Sequence, residues 1–521
     1  MKNLRENLVF SLILIFAIVL ISRLFFLQII KGNYYRALAF GIHNSFSENT
    51  ERRGEIFFAG GEPLAINREY FFVFAIPKKI KEKEKTAKIL SEILNLSEEE
   101  ILEKIKEDKN FSLIKEKLSE EEIEKIKKSN LAGIFVESKI GRYYPQKSLA
   151  SNVVGFVDAE GDGRYGLEEY YDEILRKGEN LILTMDYRIQ YQAEKLLEKA
   201  KETLDIEGGQ IIVADPNSGK IIAFANFPNF DPNSYKEFAK NLEVFKNPGT
   251  QNLFEPGSVF KAVTMAIALE EGKITPKTTY RDPGEIRIDG WVIKNYANRV
   301  YPGEITMTEV LEKSINTGAV FAKNQVENST FLNYLKNFGF FEKTGIDLPE
   351  IFSENRELKN GKEINFATAS FGQGIAITPI QLLRAYFAIA NGGKLVTPYL
   401  VENFRKEENP RKILSQKTVS QLTSMLVSVV ENGFGKRAKV PGYFIAGKTG
   451  TALQPKIGEK GYSEKTWQSF VGYFPAYNPK ILILVKLDNP KAKTAEYSAV
   501  PIFHDLADYI IRLYQIPPDY E

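Results

Sequence analysis

Cysteine is absent from the chain, which excludes disulfide staples, a thiol nucleophile and cysteine-ligated zinc, and leaves the redox compartment undecided. Histidine is almost absent: His43 and His504 are the only two. That argues against a multi-histidine metal centre, and a Ser-His-Asp triad would have to recruit one of the pair. Charge of one sign is lacking too, since 69 Lys+Arg face 67 Asp+Glu for a net charge of +2. A nucleic-acid binder normally carries a basic face, so no nucleic-acid partner is expected. Neither a repeat nor a low-complexity linker interrupts the chain. Any base acting at neutral pH must therefore come from elsewhere. Lysine is the candidate, because burial and nearby cations lower its pKa. No cofactor and no metal site are expected.

What is present is a globular composition, 43% hydrophobic and 26% charged over 521 residues, long enough for about three domains. One long apolar run stands out, from Leu8 to Ile30, broken mainly by Ser11, Ser22, Arg23 and Gln28. As a helix it would be roughly 35 Å long, enough to cross a hydrocarbon core. Lys2 and Arg5 favour a cytoplasmic tail, and Arg23 has the length to snorkel or to meet a partner helix. The expectation is an uncleaved single-pass anchor in the cytoplasmic membrane, with the rest of the chain periplasmic or extracellular. Two alternatives remain. The cleaner stretch Leu8 to Ile21 suits a secretory signal, with Ala37-Leu38-Ala39 as a cleavage pattern, and a buried core helix is the third reading.

Further along, Phe71 to Ile76 reads as a strand. Between Lys78 and Asn130 the pattern becomes helical, with Leu90, Ile93, Leu94, Ile101, Ile105, Ile123 and Ile126 at helical spacing. Ser97-Glu-Glu-Glu and Ser119-Glu-Glu-Glu match capping-box starts, and the dense charges there read as solvated helix faces. From Asn180 onward, strands are expected at Gln210 to Ala214, Lys220 to Asn226 and Ile481 to Leu487. The first two are joined by the turn Asp215-Pro216-Asn217-Ser218-Gly219. Helices are expected at Val259 to Glu271 and Pro379 to Asn391. Strands at both ends with helices between them predict an α+β domain with an inserted helical part.

Three short stretches have the residue types for acyl chemistry. In Glu255-Pro256-Gly257-Ser258-Val259-Phe260-Lys261, the Pro-Gly break places Ser258 at a helix start, and Lys261 falls on the same face. A helix start favours a forming alkoxide and an oxyanion, and a neutral lysine beside the serine can take its proton. Lys313-Ser314-Ile315-Asn316-Thr317-Gly318 reads alone as a polar turn or cap. In Ala446-Gly447-Lys448-Thr449-Gly450-Thr451-Ala452, a strand would send Thr449 and Thr451 to one side and Lys448 to the other. Gly450 would leave the backbone approachable.

S-x-x-K, S-x-N and K-T-G in that order resemble the active-site signature of penicillin-binding proteins and serine β-lactamases. The spacings, 56 residues from Ser258 to Ser314 and 134 from Ser314 to Lys448, are similar to those of the transpeptidases, and Ile315 replaces the middle aspartate. The resemblance extends through Thr184-Met-Asp186 with Gln190, Gly219-Lys-Ile-Ile-Ala223 and Phe227-Pro228-Asn-Phe-Asp231-Pro232-Asn233. It continues through Gly345-Ile-Asp-Leu-Pro349, Ser370-Phe-Gly372-Gln373-Gly374 with Thr378-Pro379 and Gln381, and Trp467 to Pro475. Upstream, Arg53-Gly54-Glu55-Ile56 with Leu64-Ala65, Arg142-Tyr143-Tyr144-Pro145, Gly155-Phe-Val157 and Gly166-Leu167-Glu168 with Tyr170 resemble the pedestal of class B members. Phe57-Phe58-Ala59-Gly60-Gly61 departs from the family pattern and leaves the packing there open.

The resemblance implies a cytoplasmic tail (1–7), a transmembrane anchor (8–30), a dimerisation or pedestal domain (31–178) and a transpeptidase domain (179–517), an antiparallel sheet flanked by helices with a helical subdomain. It implies a peptidoglycan D,D-transpeptidase that cross-links stem peptides and is acylated by β-lactams. Ser258 would be the nucleophile, Lys261 the general base, Ser314 a proton relay, and Asn316 the group positioning the donor amide and Lys261. Lys448 would bias those pKa values. Thr449, Gly450 and Thr451 would bind substrate, with the backbone N–H groups of Ser258 and Thr451 as oxyanion hole. The stretch between anchor and pedestal is too short for a glycosyltransferase domain, so a membrane-spanning glycosyltransferase and other division proteins are the implied partners. The motifs look more like division-type than elongation-type members. A β-lactamase, a β-lactam sensor or a non-catalytic scaffold remain alternatives on sequence.

Overall fold

The computed structural model describes residues 2–25, 52–107, 109–405, 409–456, 458 and 461–520. Lys2–Phe25 form one helix, and its described side chains, such as Phe16 at 65% and Ile21 at 65% exposure, are not covered by any protein core. No helix among the described residues is long and apolar enough to cross a membrane. Residues 26–30 of the expected anchor, Ala37-Leu38-Ala39 and His43 lie outside the described residues.

Residues 52–178 are built on a long ribbon. Pro63–Ala75 pairs antiparallel with Ile134–Tyr143 over the register Ile66↔Tyr143 to Ala75↔Ile134. Three helices, Lys83–Leu94, Glu98–Lys106 and Glu120–Ser129, close one end of it. Leu90, Leu94, Ile101, Ile105 and Ile126 form their core with Val73, and Ile93 and Ile123 pack at its margin. Ser119 makes the full capping box with Glu122. Ser97 accepts only the Glu100 amide, a half-box. The short strand Ser112–Lys115 was not legible in so charged a segment; the edge of the Pro63–Ala75 strand supplies its partners.

The segments that resemble the family pedestal converge in space. Glu168, fully buried, accepts Nε of Arg53 at 2.7 Å, Nε of Arg142 at 2.6 Å and the Tyr144 hydroxyl at 3.2 Å. Phe156 stacks on Tyr235 with ring centroids 4.3 Å apart. Asn233 grips the Tyr144 backbone from both sides, accepting its N–H at 3.0 Å and donating to its carbonyl at 2.9 Å. The departing stretch has a simple packing: Ile56 and Phe57 run parallel to Leu181 and Ile182, a tight turn follows at Gly61, and buried Phe58 meets Tyr187 edge-on at 5.5 Å.

The larger half begins with α1 (Tyr187–Leu204), followed by β1 (Gly208–Ala214) and β2 (Ile221–Phe227). The helical part then includes α2 (Lys261–Glu270), α3 (Asn316–Asn324), α4 (Pro379–Ala390) and α5 (Gln416–Asn432). β3 (Ala446–Pro455), β4 (Tyr462–Phe474), β5 (Ile481–Asp488) and α6 (Ala499–Tyr514) complete it. The five strands form one antiparallel sheet in the order β3-β4-β5-β1-β2. β1 and β5 are buried along nearly their whole length because both faces are covered. α1 and α6 pack on one face through Ile189, Leu197, Phe503 and Leu506, and the helical part packs on the other through α2 and α4. His504 lies on α6. β3 is an edge strand, as an extended substrate requires.

Glu168→Ala leaves the buried Arg142 guanidinium without a carboxylate and Arg53 with Asp172 alone, and is expected to destabilise the full-length chain by about 3–5 kcal/mol in urea unfolding. A loss below about 1 kcal/mol would place this network with ordinary surface ion pairs.

Candidate active site

The segment carrying Ser258 is held before its helix starts. Phe254 pairs with Ile377 through two backbone hydrogen bonds of 2.9 and 3.0 Å. Its buried ring meets Trp467 edge-on at 6.0 Å, with the Lys486 ammonium 5.3 Å from its centroid. The Glu255 carboxylate accepts the Tyr462 hydroxyl at 3.0 Å and the Gly374 N–H at 3.1 Å. Gly257 then turns at φ +61° and donates its N–H to the Gly372 carbonyl at 2.9 Å. The turn Gly257–Phe260 is 3-10 and leads directly into α2, with the Lys261 N–H donating to the Ser258 carbonyl. Ser258 thus sits where its motif predicts.

Glycine is needed here because backbones touch. A Cβ on Gly372, at φ +80°, would lie 2.2 Å from the Gly257 oxygen, and one on Gly257 would lie 2.9 Å from the Ala452 Cβ. Gly450 is crowded from inside the protein: its Cβ would lie 2.6 Å from the Ser469 hydroxyl and 3.0 Å from the Pro256 oxygen. Its small size therefore lets the serine turn dock on β3, in addition to leaving the strand open.

Ser314 provides the junction between the three motifs. The helix Met307–Glu312 ends just before it, and Ser314 adopts φ +53°, a strained value for a residue with a side chain. This turn aims both its oxygens at lysines. The Lys261 ammonium donates to the Ser314 carbonyl at 2.6 Å, to its hydroxyl at 3.3 Å and to Asn316 Oδ1 at 2.8 Å. The Lys448 ammonium donates to the Ser314 hydroxyl at 2.9 Å and to the Thr449 carbonyl at 3.1 Å. The Ser258 hydroxyl has no hydrogen-bond partner among the described residues, which leaves it free to turn toward a substrate.

Both lysines are fully buried. Burial pushes the Lys261 amine well below its ordinary range, and the Lys448 charge pushes it further. Burial alone brings Lys448 down to about 7. Both amines are thus pushed toward the neutral form, Lys261 by its neighbour's charge as well as by burial. On β3, Lys448 lies opposite Val471 and Thr449 opposite Phe470, so the expected alternation holds. Thr451 Oγ1 accepts the Ala495 N–H at 3.2 Å and keeps its own proton to donate.

Hydrogen bonds join Lys261, Ser314, Asn316 and Lys448, and the turn that carries Ser258 docks on β3 beside Gly450 and Ala452. The structure also adds residues that sequence reasoning missed. Gly372 and Glu255 were visible only as parts of motifs. Asp282 and Asn295 behind Asn316 carried no signal beyond the turn-like Asp282-Pro283-Gly284.

A serine at a helix start, with lysines where histidine is lacking, on an edge-strand α+β sheet, defines a serine acyl-transferase. The family description "Penicillin binding protein transpeptidase domain" matches residues 209–508, and "Penicillin-binding Protein dimerisation domain" matches residues 48–185. Stage V sporulation protein D of Bacillus subtilis is 32% identical, over 94% of this chain and 82% of its own length. The peptidoglycan D,D-transpeptidase FtsI homolog of Mesostigma viride is 30% identical over 96% and 94%. Penicillin binding protein 3 of Mycobacterium tuberculosis, solved free and with ampicillin, matches in each case with a TM-score of 0.70. The free form is 26% identical and covers 90% of this chain and 97% of that one. The chain belongs to the class B penicillin-binding proteins, with a transpeptidase domain preceded by a dimerisation domain.

Two glycine substitutions separate backbone strain from crowding. Gly361, at φ +78°, has nothing within 4 Å of the position a Cβ would take, so Gly361→Ala should cost only about 1–2 kcal/mol for its left-handed backbone. Gly372→Ala should cost more than that and also abolish labelling of the serine by a fluorescent β-lactam. Equal effects of the two on stability and labelling would remove the close approach to Gly257 as the reason for glycine.

Proposed function

We propose that this chain is a peptidoglycan D,D-transpeptidase that cross-links cell-wall stem peptides through an acyl-enzyme on Ser258, in septal synthesis during division. The observation that carries this reading is the convergence of two buried lysines on Ser314 beside the Ser258 turn, with no carboxylate paired to either amine among the described residues.

In the first half-reaction, Ser258 Oγ attacks the carbonyl between the two terminal D-alanines while neutral Lys261 takes its proton. The N–H groups of Ser258 and Thr451 stabilise the oxyanion, each such donor being worth about 3–4 kcal/mol. The C–N bond then breaks, and the Ser314 hydroxyl passes a proton to the departing D-alanine amine. Asn316 holds the donor amide and Lys261 in register. Charged Lys448 attracts the terminal carboxylate, which the Thr449 and Thr451 hydroxyls bind. In the second half-reaction, an amine of a neighbouring stem peptide attacks the ester and restores Ser258. A β-lactam enters the same path and stalls as the acyl-enzyme.

The chain divides into a tail (1–7), an anchor (8–30), a dimerisation domain (31–178) and a transpeptidase domain (179–517). It is anchored by a single pass with its catalytic domain outside the cytoplasmic membrane, and it works with a membrane-spanning glycosyltransferase and other division proteins. The uncovered apolar side chains of Lys2–Phe25 support the anchor. The relatives named as FtsI support the division role.

Intact mass spectrometry after incubation with a β-lactam should give one persistent adduct, mapping to Ser258 and absent from Ser258→Ala. Rapid turnover without an adduct would point to a β-lactamase instead. Lys448→Met removes the charge that holds the Lys261 pKa down, so the acid limb of the acylation rate at saturating β-lactam should move to higher pH. An unmoved limb would show that Lys448 does not tune Lys261.

A further inference from the structure

Asn316 owes its position to a part of the chain outside the three motifs. α3 begins at Asn316, and its N-cap residue, Ile315, has no side chain able to cap it. The first N–H groups of a helix need acceptors. Asn295, at the end of the hairpin strand Trp291–Lys294, supplies one from a distance: its Oδ1 accepts the N–H of Asn316 at 3.0 Å and that of Thr317 at 3.1 Å. The carbonyl of the adjacent Lys294 accepts the Asn316 side-chain amide at 2.9 Å. This leaves Asn316 Oδ1 directed at the Lys261 ammonium.

Asn295 can do this in only one orientation, and Asp282 sets it. Both Asp282 oxygens accept the Asn295 Nδ2 group, at 3.1 and 2.9 Å, so the oxygen of Asn295 must face the helix. Asp282 is itself held by the N–H groups of Gly284 and Tyr301, each at 2.9 Å, and by the Thr317 hydroxyl at 2.7 Å. Asp282 and Asn295 are both more than nine-tenths buried. The Tyr280 hydroxyl reaches Thr317 at 3.3 Å, while the Tyr301 hydroxyl is directed away from the pair at the Lys313 carbonyl, 3.5 Å away.

We propose that Asp282 and Asn295 are positioning residues for acylation: the carboxylate locks the amide, the amide caps α3 from another element, and the capped helix holds Asn316 against Lys261. The inference rests on the reading of Lys261 as the base. It assigns a function to the hairpin Glu285–Lys294, which brings Asn295 and the Lys294 carbonyl to the helix start.

The test compares full-length variants in acylation by a β-lactam, separating the rate constant at saturation from the dissociation constant of the initial complex. Asn295→Asp sets two carboxylates against each other and should slow the saturated rate about 100-fold, the effect of a displacement near 1 Å at a reacting centre. The dissociation constant should hardly move, because the carboxylate site on β3 is untouched. A second variant, Asn295→Ala, removes the acceptor from the start of α3 without adding a charge. It should slow the saturated rate about ten-fold, the worth of a lost helix cap. A folded Asn295→Asp chain acylating at the wild-type rate overturns the proposal. So does a folded Asn295→Ala chain acylating at the wild-type rate, which also decides the matter if Asn295→Asp does not fold. Lys261→Ala, measured alongside, keeps the two readings apart: if it acylates normally, the base assignment fails and this inference falls with it. If it is inactive while Asn295→Asp is normal, only the positioning role fails.

Discussion

Everything at the site depends on burying two like charges next to one another. Lys261 and Lys448 are both removed from solvent, and both donate to Ser314. Burial, with no carboxylate paired to either amine among the described residues, disfavours the charged form of each, and repulsion between the two adds to it. The unfavourable electrostatics are what make a lysine into a base near neutral pH. A carboxylate placed between them would stabilise the fold and weaken the chemistry.

Such a site persists only if the surrounding structure fixes it from several directions. Ser314 holds a left-handed backbone that delivers its carbonyl to one amine and its hydroxyl to both. The serine turn is pinned by the pairing of Phe254 with Ile377, by the Gly257–Gly372 hydrogen bond and by contact with β3 near Gly450 and Ala452. Lys486 is a further buried lysine, outside the chemistry. It donates to Gln210 at 2.9 Å, pairs with Asp488 and lies near the rings of both Phe254 and Trp467. It thereby ties the strap before the nucleophile to the middle of the sheet. Helical part, edge strand and strap are thus locked together, so the donor and acceptor atoms need little reorganisation when charge develops.

The pedestal uses charge in the opposite way. Glu168 pairs with two arginines and a tyrosine hydroxyl in a buried network, which specifies how three distant segments meet. The parallel pairing of Ile56 and Phe57 with Leu181 and Ile182 carries that order toward the larger half of the chain. Phe58 finishes the junction by packing on Tyr187.

The sequence by itself determined the elements whose signals are local. These are the helical spacing of Leu90 to Ile126, the Ser119 capping box, the turn at Asp215 to Gly219, the strands around it, and the candidate serine and lysines of the site through short motifs. The apolar run at the N-terminus was equally legible as a pattern, although part of it lies outside the described residues. Only the tertiary structure decided what depends on residues far apart in the chain. The strand Ser112–Lys115 exists because a partner edge reaches it. Gly450 is small because Pro256 and Ser469 crowd it. The helix at Asn316 is capped by Asn295, which Asp282 orients. The physical reason is the same in each case. A propensity or a cap can be read within a few residues, but a hydrogen-bond acceptor or a steric limit supplied by a remote segment has no trace in the local sequence that needs it.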